Sequence, residues 1–280
     1  MPVSHHAVEA HTPAPPNGRQ GAKVEIRELY KAFDSKGGRF VALDRVNLSI
    51  AAGEFLCIVG PSGCGKSTLI RILAGLETPD SGTAAIDSGG WPVENAMVFQ
   101  EASLFPWMSV FDNVAFGLRN RGVPASDCAQ RVGEALQLVG LSKFHKHYPH
   151  QLSGGMKQRA AIARAFVTNP ALLLMDEPFA ALDAQNRAIL QDELVRIWET
   201  SRKTVVYVTH SLEEALMLGD RTIIMTAQPG RIKEEIHIPF ARPRNIMEIS
   251  ATPEFAQMKM RLWRTLEEEV VRARKEMEQS

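Results

Sequence analysis

No run of about 18 apolar residues occurs anywhere in the chain, so no segment is expected to cross a membrane as a helix. An excess of either charge is also missing. Lys plus Arg and Asp plus Glu stand at 32 each, which removes the basic field that a nucleic-acid binder uses. Cysteine is scarce: Cys57, Cys64 and Cys128 are odd in number, scattered and without metal spacing, and they suit a reducing compartment. The N-terminus lacks the charged start, apolar stretch and small-residue cleavage site of a secretory signal. Residues 1–22 carry His, Pro, Gly and Ala without periodicity and are expected to form a disordered tail, with His5, His6 and His11 solvated rather than metal-bound. No internal repeat and no heptad pattern appears. What remains is ordinary for a globular protein: 45% hydrophobic and 23% charged over 280 residues, enough to bury a sizeable core.

One stretch organises the rest. Gly60, Pro61, Ser62, Gly63, Cys64, Gly65, Lys66, Ser67 and Thr68 follow the apolar run Phe55–Val59 and precede Leu69–Ala74, an order that reads strand, glycine-rich turn, helix. The spacing Gly60-x4-Gly65-Lys66-Ser67 is that of a phosphate-binding loop. Glycines let the backbone curl so that successive N–H groups face phosphate oxygens. The helix start adds unpaired N–H groups and the positive end of its dipole. Lys66 supplies a charge for the β- and γ-phosphates, and Ser67 a hydroxyl for Mg²⁺. Cys64 sits inside this loop, within reach of thiol reagents, and has no assigned role.

Before this loop, Val24–Leu29, Phe40–Leu43 and Val46–Ile50 read as short strands with a turn at Gly37-Gly38, an antiparallel sheet. Phe33, on residue type alone, reads as core packing. After the loop, Pro79-Asp80-Ser81-Gly82 ends the helix, and Ala96–Gln100 reads as a buried strand with a polar end. Residues 109–148 turn helical, with Val110, Val114 and Leu118 on one face and Val132, Leu136 and Val139 on another. Ser153 is a good N-cap for a helix running to Asn169-Pro170. Gly154 and Gly155 in its first turn disfavour helix by about 1 kcal/mol each, so they point either to an anion site at bare N–H groups or to a flexible cap. Ala171–Met175 is wholly apolar and ends in Asp176-Glu177, as strands of buried parallel sheets do. Ligands bind beyond the carboxyl ends of such strands. Thr204–Val208, ending in Thr209-His210, is a second strand of this kind, and 221–225 and 231–237 complete the sheet. Asp183 lies in the turn before a helix over 187–200.

In chain order these are the phosphate loop, Gln100, Ser153-Gly154-Gly155, Asp176-Glu177 and His210. Together they resemble the ATP-binding cassette (ABC) ATPases over about residues 24–240, with Gly60–Thr68 as Walker A and Leu172–Glu177 as Walker B. Leu152–Gln158 is similar to the family signature, Ala181-Leu182-Asp183 to its D-loop and His210 to its switch histidine. The resemblance implies an α/β fold: a P-loop NTPase core with an antiparallel β subdomain and a helical insertion at about 106–160. The cassette would cover 23–240, and 241–280 would form a C-terminal helical extension. It implies ATP and Mg²⁺ as ligands, with Ser67, Gln100 and Asp176 around the metal. Glu177 would polarise the attacking water, Gln100 would complete the shell and His210 would touch the γ-phosphate. Ser153, Gly154 and Gly155 would bind the γ-phosphate held by a second copy, so that two cassettes form a homodimer. Phe33 falls where the family stacks an aromatic on adenine, with Tyr30 and Phe40 as alternatives.

Within that family, Val98–Trp107, the run Val110–Gly117, Pro253-Glu-Phe255 and Leu262-Trp-x2-Leu266 resemble the ATPases of nitrate, sulfonate and taurine importers. The resemblance implies a peripheral protein on the cytoplasmic face of the inner (plasma) membrane, bound to integral permease subunits and served indirectly by a solute-binding protein. Phe105-Pro106-Trp107 would lie near the groove for that partner, the other reading being that Trp107 is core. Phe255, Met258, Leu262, Leu266 and Val270 line one face of a last helix, packed on its own cassette or on the dimer mate. Two other functions stay open. An exporter ATPase with separate membrane subunits is opposed only by the importer-like details. A non-transport ATPase on DNA or ribosomes is opposed by the neutral charge and by the lack of coiled coil, zinc spacing and a second cassette.

Overall fold

The chain enters its fold through two long antiparallel strands, β1 (Lys23–Ser35) and β2 (Gly38–Ile50). β3 (Phe55–Val59) leads through the glycine-rich turn into α1 (Lys66–Leu73), then β4 (Ser81–Asp87) and β5 (Asn95–Val98). A helical lobe follows, made of α2 (Val110–Asn120), α3 (Ala125–Leu138), two 3₁₀ turns and α4 (Gly154–Phe166). β6 (Leu172–Asp176), α5 (Ala184–Ser201), β7 (Thr204–Val208), α6 (Leu212–Leu218), β8 (Arg221–Met225) and β9 (Ile232–His237) return to the core. The chain closes with α7 (Ile246–Ser250) and α8 (Pro253–Glu278). This computed structural model describes residues 21–35, 38–89, 95–180 and 182–278.

Two sheets result. One has the order β2-β1-β4 and is antiparallel. The other has the order β5-β6-β7-β3-β8-β9 and is parallel except for β9. Every residue of β3, β6 and β7 is buried, because both faces of this sheet are covered. The alternation of side chains sends Phe55, Cys57, Leu173, Met175, Val205 and Tyr207 toward the helical lobe, α5, α6 and α8. Their neighbours Leu56, Ile58, Leu172, Leu174, Val206 and Val208 face α1 and the antiparallel sheet. Each such buried Leu, Ile or Val contributes about 1.5–3 kcal/mol relative to exposure, so these strands form a rigid platform. The architecture is α/β, a P-loop core with an antiparallel β subdomain and a helical insertion.

Several boundaries differ from the expected ones. Residues 1–20, with His5, His6 and His11, lie outside the described residues, as do Gly37 and Ala181. Ala22, expected in the tail, is instead fully buried; its N–H donates to Ala171 O and its carbonyl accepts from Thr204 Oγ1. The two runs around Asp44-Arg45 are one strand. β1 and β2 slip register there, and Arg45 takes a left-handed φ of 49°, which absorbs the extra residue as a bulge. β4 has no apolar run to betray it; it pairs as an edge strand along β1. α5 starts three residues before the expected 187, because Asp183 caps it by accepting from Asn186 N–H at 3.0 Å. The last helix packs on its own cassette: Phe255, Leu262 and Leu266 are buried in the same core as α6, with Met258 and Val270 against it.

Candidate active site

Four adjacent strands, β5, β6, β7 and β3, run parallel and release the chain at one edge of the sheet. Beyond those carboxyl ends come Gln100, Asp176-Glu177, Thr209-His210 and the loop from Gly60. Residues far apart in sequence therefore converge where ligands of parallel sheets bind.

The glycine-rich loop is closed around the ammonium group of Lys66. Its Nζ donates to Gly60 O at 2.8 Å and Pro61 O at 2.9 Å, and the residue is 7% exposed. Gly65 is demanded twice: its φ is +97°, and a Cβ there would lie 2.5 Å from Ala42 O. This contact sets β2 against the loop. The Cys64 thiol is buried, with its Sγ 3.8 Å from Lys66 Nζ, and burial pushes its pKa up. The expected reach of thiol reagents is therefore corrected: the sulfur packs inward, and neither exposure nor thiolate character favours reaction.

Ser67 Oγ donates to Asp176 Oδ1 at 3.2 Å. Burial, and next the neighbouring Glu177 charge, raise the Asp176 pKa, while the Ser67 hydrogen bond opposes them. A hydroxyl and a carboxylate are hard oxygen donors, the set that suits Mg²⁺, which takes one or two protein groups and fills its shell with phosphate and water. Glu177 bends the chain sharply after β6. Its φ is 45° and its N–H donates to Val208 O at 3.0 Å, a left-handed conformation disfavoured by roughly 1–2 kcal/mol for a residue with a Cβ. The bend carries its side chain to His210, whose Nδ1 lies 3.0 Å from Glu177 Oε2. The imidazole is the donor, because a carboxylate only accepts.

Ser153 caps α4, its Oγ accepting from Met156 N–H at 3.3 Å. The hydrogen bonds of Ser153 run to its own helix rather than to the 60–68 loop. A Cβ added at Gly154 would meet none of the described residues within 4 Å, whereas one at Gly155 would lie 2.9 Å from Leu182 Cδ2. Phe33 is 36% exposed and stands opposite Phe40 across the β1–β2 ladder, with ring centroids 6.4 Å apart. Phe40 is two residues before Ala42, whose carbonyl lies against the loop at Gly65, while Tyr30 pairs toward β4. Gln100 is exposed just past β5. Two ties had no signal in the sequence, although Gln158 ends the signature-like run Leu152–Gln158. Gln158 Nε2 donates to Phe99 O at 3.0 Å, and Arg164 donates to Ser103 O and Ala102 O. They bind the helix that starts at Ser153 to the segment that carries Gln100.

Residues 43–180 match the family described as ABC transporter. An uncharacterized ABC transporter ATP-binding protein of Methanocaldococcus jannaschii is 45% identical over 260 residues, 92% of this chain and 96% of that protein. A nitrate import ATP-binding protein of Synechococcus elongatus is 45% identical over 82% of this chain and 86% of its own. A taurine import ATP-binding protein of Jannaschia sp. is 42% identical over 84% and 91%. Among solved structures, a dimeric ATP-binding cassette in a post-hydrolysis state with ADP and Pi superposes with a TM-score of 0.71 at 32% identity, covering 78% of this chain and all of that one. Motif order, sheet topology and these near full-length matches agree, and the chain belongs to the ABC transporter family as one of its ATP-binding proteins.

Proposed function

We infer that this chain binds Mg²⁺-ATP at the strand ends and hydrolyses it to power an importer of a small solute of the nitrate, sulfonate or taurine kind. The observation that carries the hydrolytic reading is the Glu177–His210 contact at 3.0 Å, next in the chain to Asp176, which joins Ser67 of the phosphate loop at 3.2 Å. Phe33 stacks on the adenine face, and the loop amides and Lys66 hold the phosphates. Lys66 exchanges its two carbonyl partners for phosphate oxygens, which a compact ammonium on a flexible stem does readily. Ser67, Asp176 and Gln100 hold the Mg²⁺, which when bound neutralises phosphate charge. Glu177 accepts a hydrogen bond from water and aligns it on the γ-phosphorus; as that P–O bond forms, the bond to the β–γ bridging oxygen breaks and ADP leaves. His210 contacts the γ-phosphate and orients Glu177.

Ser153 and the amides of Gly154 and Gly155 serve the ATP of a second copy. Nothing in the packing of the described residues asks for glycine at 154, and a bare helix N-terminus is a ready anion site. A relative of this fold is dimeric in its solved form. The permease partner docks near Trp107, which at 70% exposure is not core, while Phe105 behind it packs on Phe116 with centroids 4.8 Å apart. No helix among the described residues is long and apolar enough to cross a membrane, which fits a peripheral subunit on the cytoplasmic face. The import reading is supported by relatives named for nitrate and taurine import, and a solute-binding protein enters it only indirectly.

The test is a tagged chain expressed in its own cell, recovered from solubilised membranes, beside a strain carrying Glu177→Gln in which uptake of nitrate, taurine and alkanesulfonate is measured. The expected result is an integral membrane partner and loss of uptake of one of these solutes. Recovery on ribosomes or DNA, with uptake of all three intact, contradicts the transport reading.

A further inference from the structure

Glu214 takes no part in the steps above, yet its carboxylate is among the most heavily engaged groups next to the site. It sits in the first turn of α6, 8% exposed. Ser211 and Glu214 have the spacing of a capping box, in which the glutamate reaches back to the serine N–H. The structure departs from that pattern. Ser211 N–H donates to Thr209 Oγ1 at 3.0 Å, and the glutamate turns inward instead. Its Oε2 accepts from Tyr207 OH at 2.9 Å and Thr209 Oγ1 at 2.6 Å, and its Oε1 accepts from Gln191 Nε2 at 2.9 Å. A carboxylate only accepts, so three donors converge on one acceptor group.

All four side chains are buried, where hydrogen bonds to a carboxylate are short and strong and an unpaired acid is expensive. Burial, and next the Glu214 carboxylate, push the Tyr207 phenol well above its ordinary pKa, so it remains a donor. The donors come from three places: β7 through Tyr207, α5 through Gln191, and the segment before His210 through Thr209. Thr209 N–H also donates to Ile58 O, on the strand that feeds the phosphate loop. His210 itself is 66% exposed in its side chain, with its ring hydrogen-bonded to Glu177. Among the described residues no wall encloses such a ring, so its position is set by that hydrogen bond and by the backbone on either side of it. That backbone is what Thr209 fixes, by accepting from Ser211 N–H while donating to Glu214.

We propose that Glu214 is a positioning residue for the hydrolytic pair: through Thr209 it fixes the loop that holds His210 against Glu177, and through Gln191 it ties that loop to the helix that begins at Asp183. The catalytic consequence rests on the roles given above to His210 and Glu177; the positional link does not. A misplacement of about 1 Å at a catalytic group is worth up to about a hundredfold in rate, which sets the expected effect.

Thr209→Val keeps the shape and removes the relay, Thr209→Ser keeps the hydroxyl, and Glu214→Gln puts donors where donors already point. Each is purified and examined by steady-state hydrolysis of Mg²⁺-ATP, by thermal melting, and by the ring ¹³C resonances of His210 without nucleotide. Thr209→Val and Glu214→Gln are expected to lower kcat about ten- to a hundredfold, with KM for Mg²⁺-ATP held within about twofold and the His210 resonances shifted. Thr209→Ser is expected to restore both. In a His210→Ala background, adding Thr209→Val is expected to change the residual rate by less than about twofold, because the two act as one unit. An unmoved His210 resonance, or the same fold loss with and without His210, overturns the proposal. If His210→Ala hydrolyses at the parent rate while Thr209→Val moves the His210 resonance, the link stands and the role of His210 in hydrolysis is what fails.

Discussion

Asp176 shows at a single side chain how function and stability pull apart. It is 5% exposed, and burial followed by the Glu177 charge raises its pKa above the ordinary 3.8. The folded state then holds this proton more tightly than the unfolded chain does. Stability from this group is fully present below the unfolded pKa and is lost as pH rises through the folded one. Once ionised, this buried carboxylate is therefore a destabilising charge in the nucleotide-free protein, one that Mg²⁺-ATP would relieve. Asp176→Asn is expected to melt higher than the parent at pH 7, with the gain shrinking as pH falls toward 3.8, and to lose Mg²⁺-dependent hydrolysis. Equal melting at pH 7 contradicts this. Such residues were legible in the sequence because their chemistry needs a fixed type at a fixed spacing, as Gly65-Lys66-Ser67 and Asp176-Glu177 do. Thr209, Gln191 and Glu214 were not, since their meaning lies in hydrogen bonds between β7, α5 and α6 that no local pattern encodes.

Elements tell the same story at longer range. β3, β6 and β7 could be read directly, because strands buried on both faces are apolar throughout. β4 could not, because an edge strand is stabilised by its ladder to β1 rather than by its own side chains. The segment after β9 likewise depends on a clamp. Arg244 is 6% exposed and donates to Leu216 O, Met217 O and Gly219 O at the end of α6, and to Phe240 O. A cation at a helix C-terminus is favourable, and although burial lowers its pKa to about 10 it stays charged at neutral pH. Arg244→Met leaves those carbonyls unpaired and is expected to lower unfolding stability by about 2–3 kcal/mol in urea titration, with ATP affinity retained. A loss below about 0.5 kcal/mol, the range of ordinary surface changes, contradicts the clamp. At the other end of the sheet, Ser153→Arg fills the open start of α4. It is expected to block ATP-induced dimerisation, measured by light scattering in a hydrolysis-dead background, while leaving nucleotide affinity nearly unchanged. Dimerisation equal to that of the parent removes Ser153 from the interface.

For the whole molecule, the question is how an event at the strand ends reaches a partner. Gln158 and Arg164 join the helix that begins at Ser153 to residues 99–103, and Phe105 and Trp107 follow directly. The start of α4, proposed above as a phosphate site, and the exposed aromatic surface thus belong to one tied body. Trp107→Ala is expected to weaken assembly with the membrane partner while ATP binding and melting temperature hold. Intact assembly with a lowered melting temperature would return Trp107 to a packing role. All of this depends on Glu177 being the carboxylate that aligns water, and Glu177→Gln tests that directly, because it keeps the shape and removes most of the basicity. Steady-state hydrolysis and ATP titration are measured on the purified variant. The account predicts ATP affinity close to the parent, hydrolysis reduced by about 10²–10⁴-fold, and accumulation of a closed, ATP-loaded dimer. Hydrolysis within about threefold of the parent, far short of what such a group contributes, would contradict it.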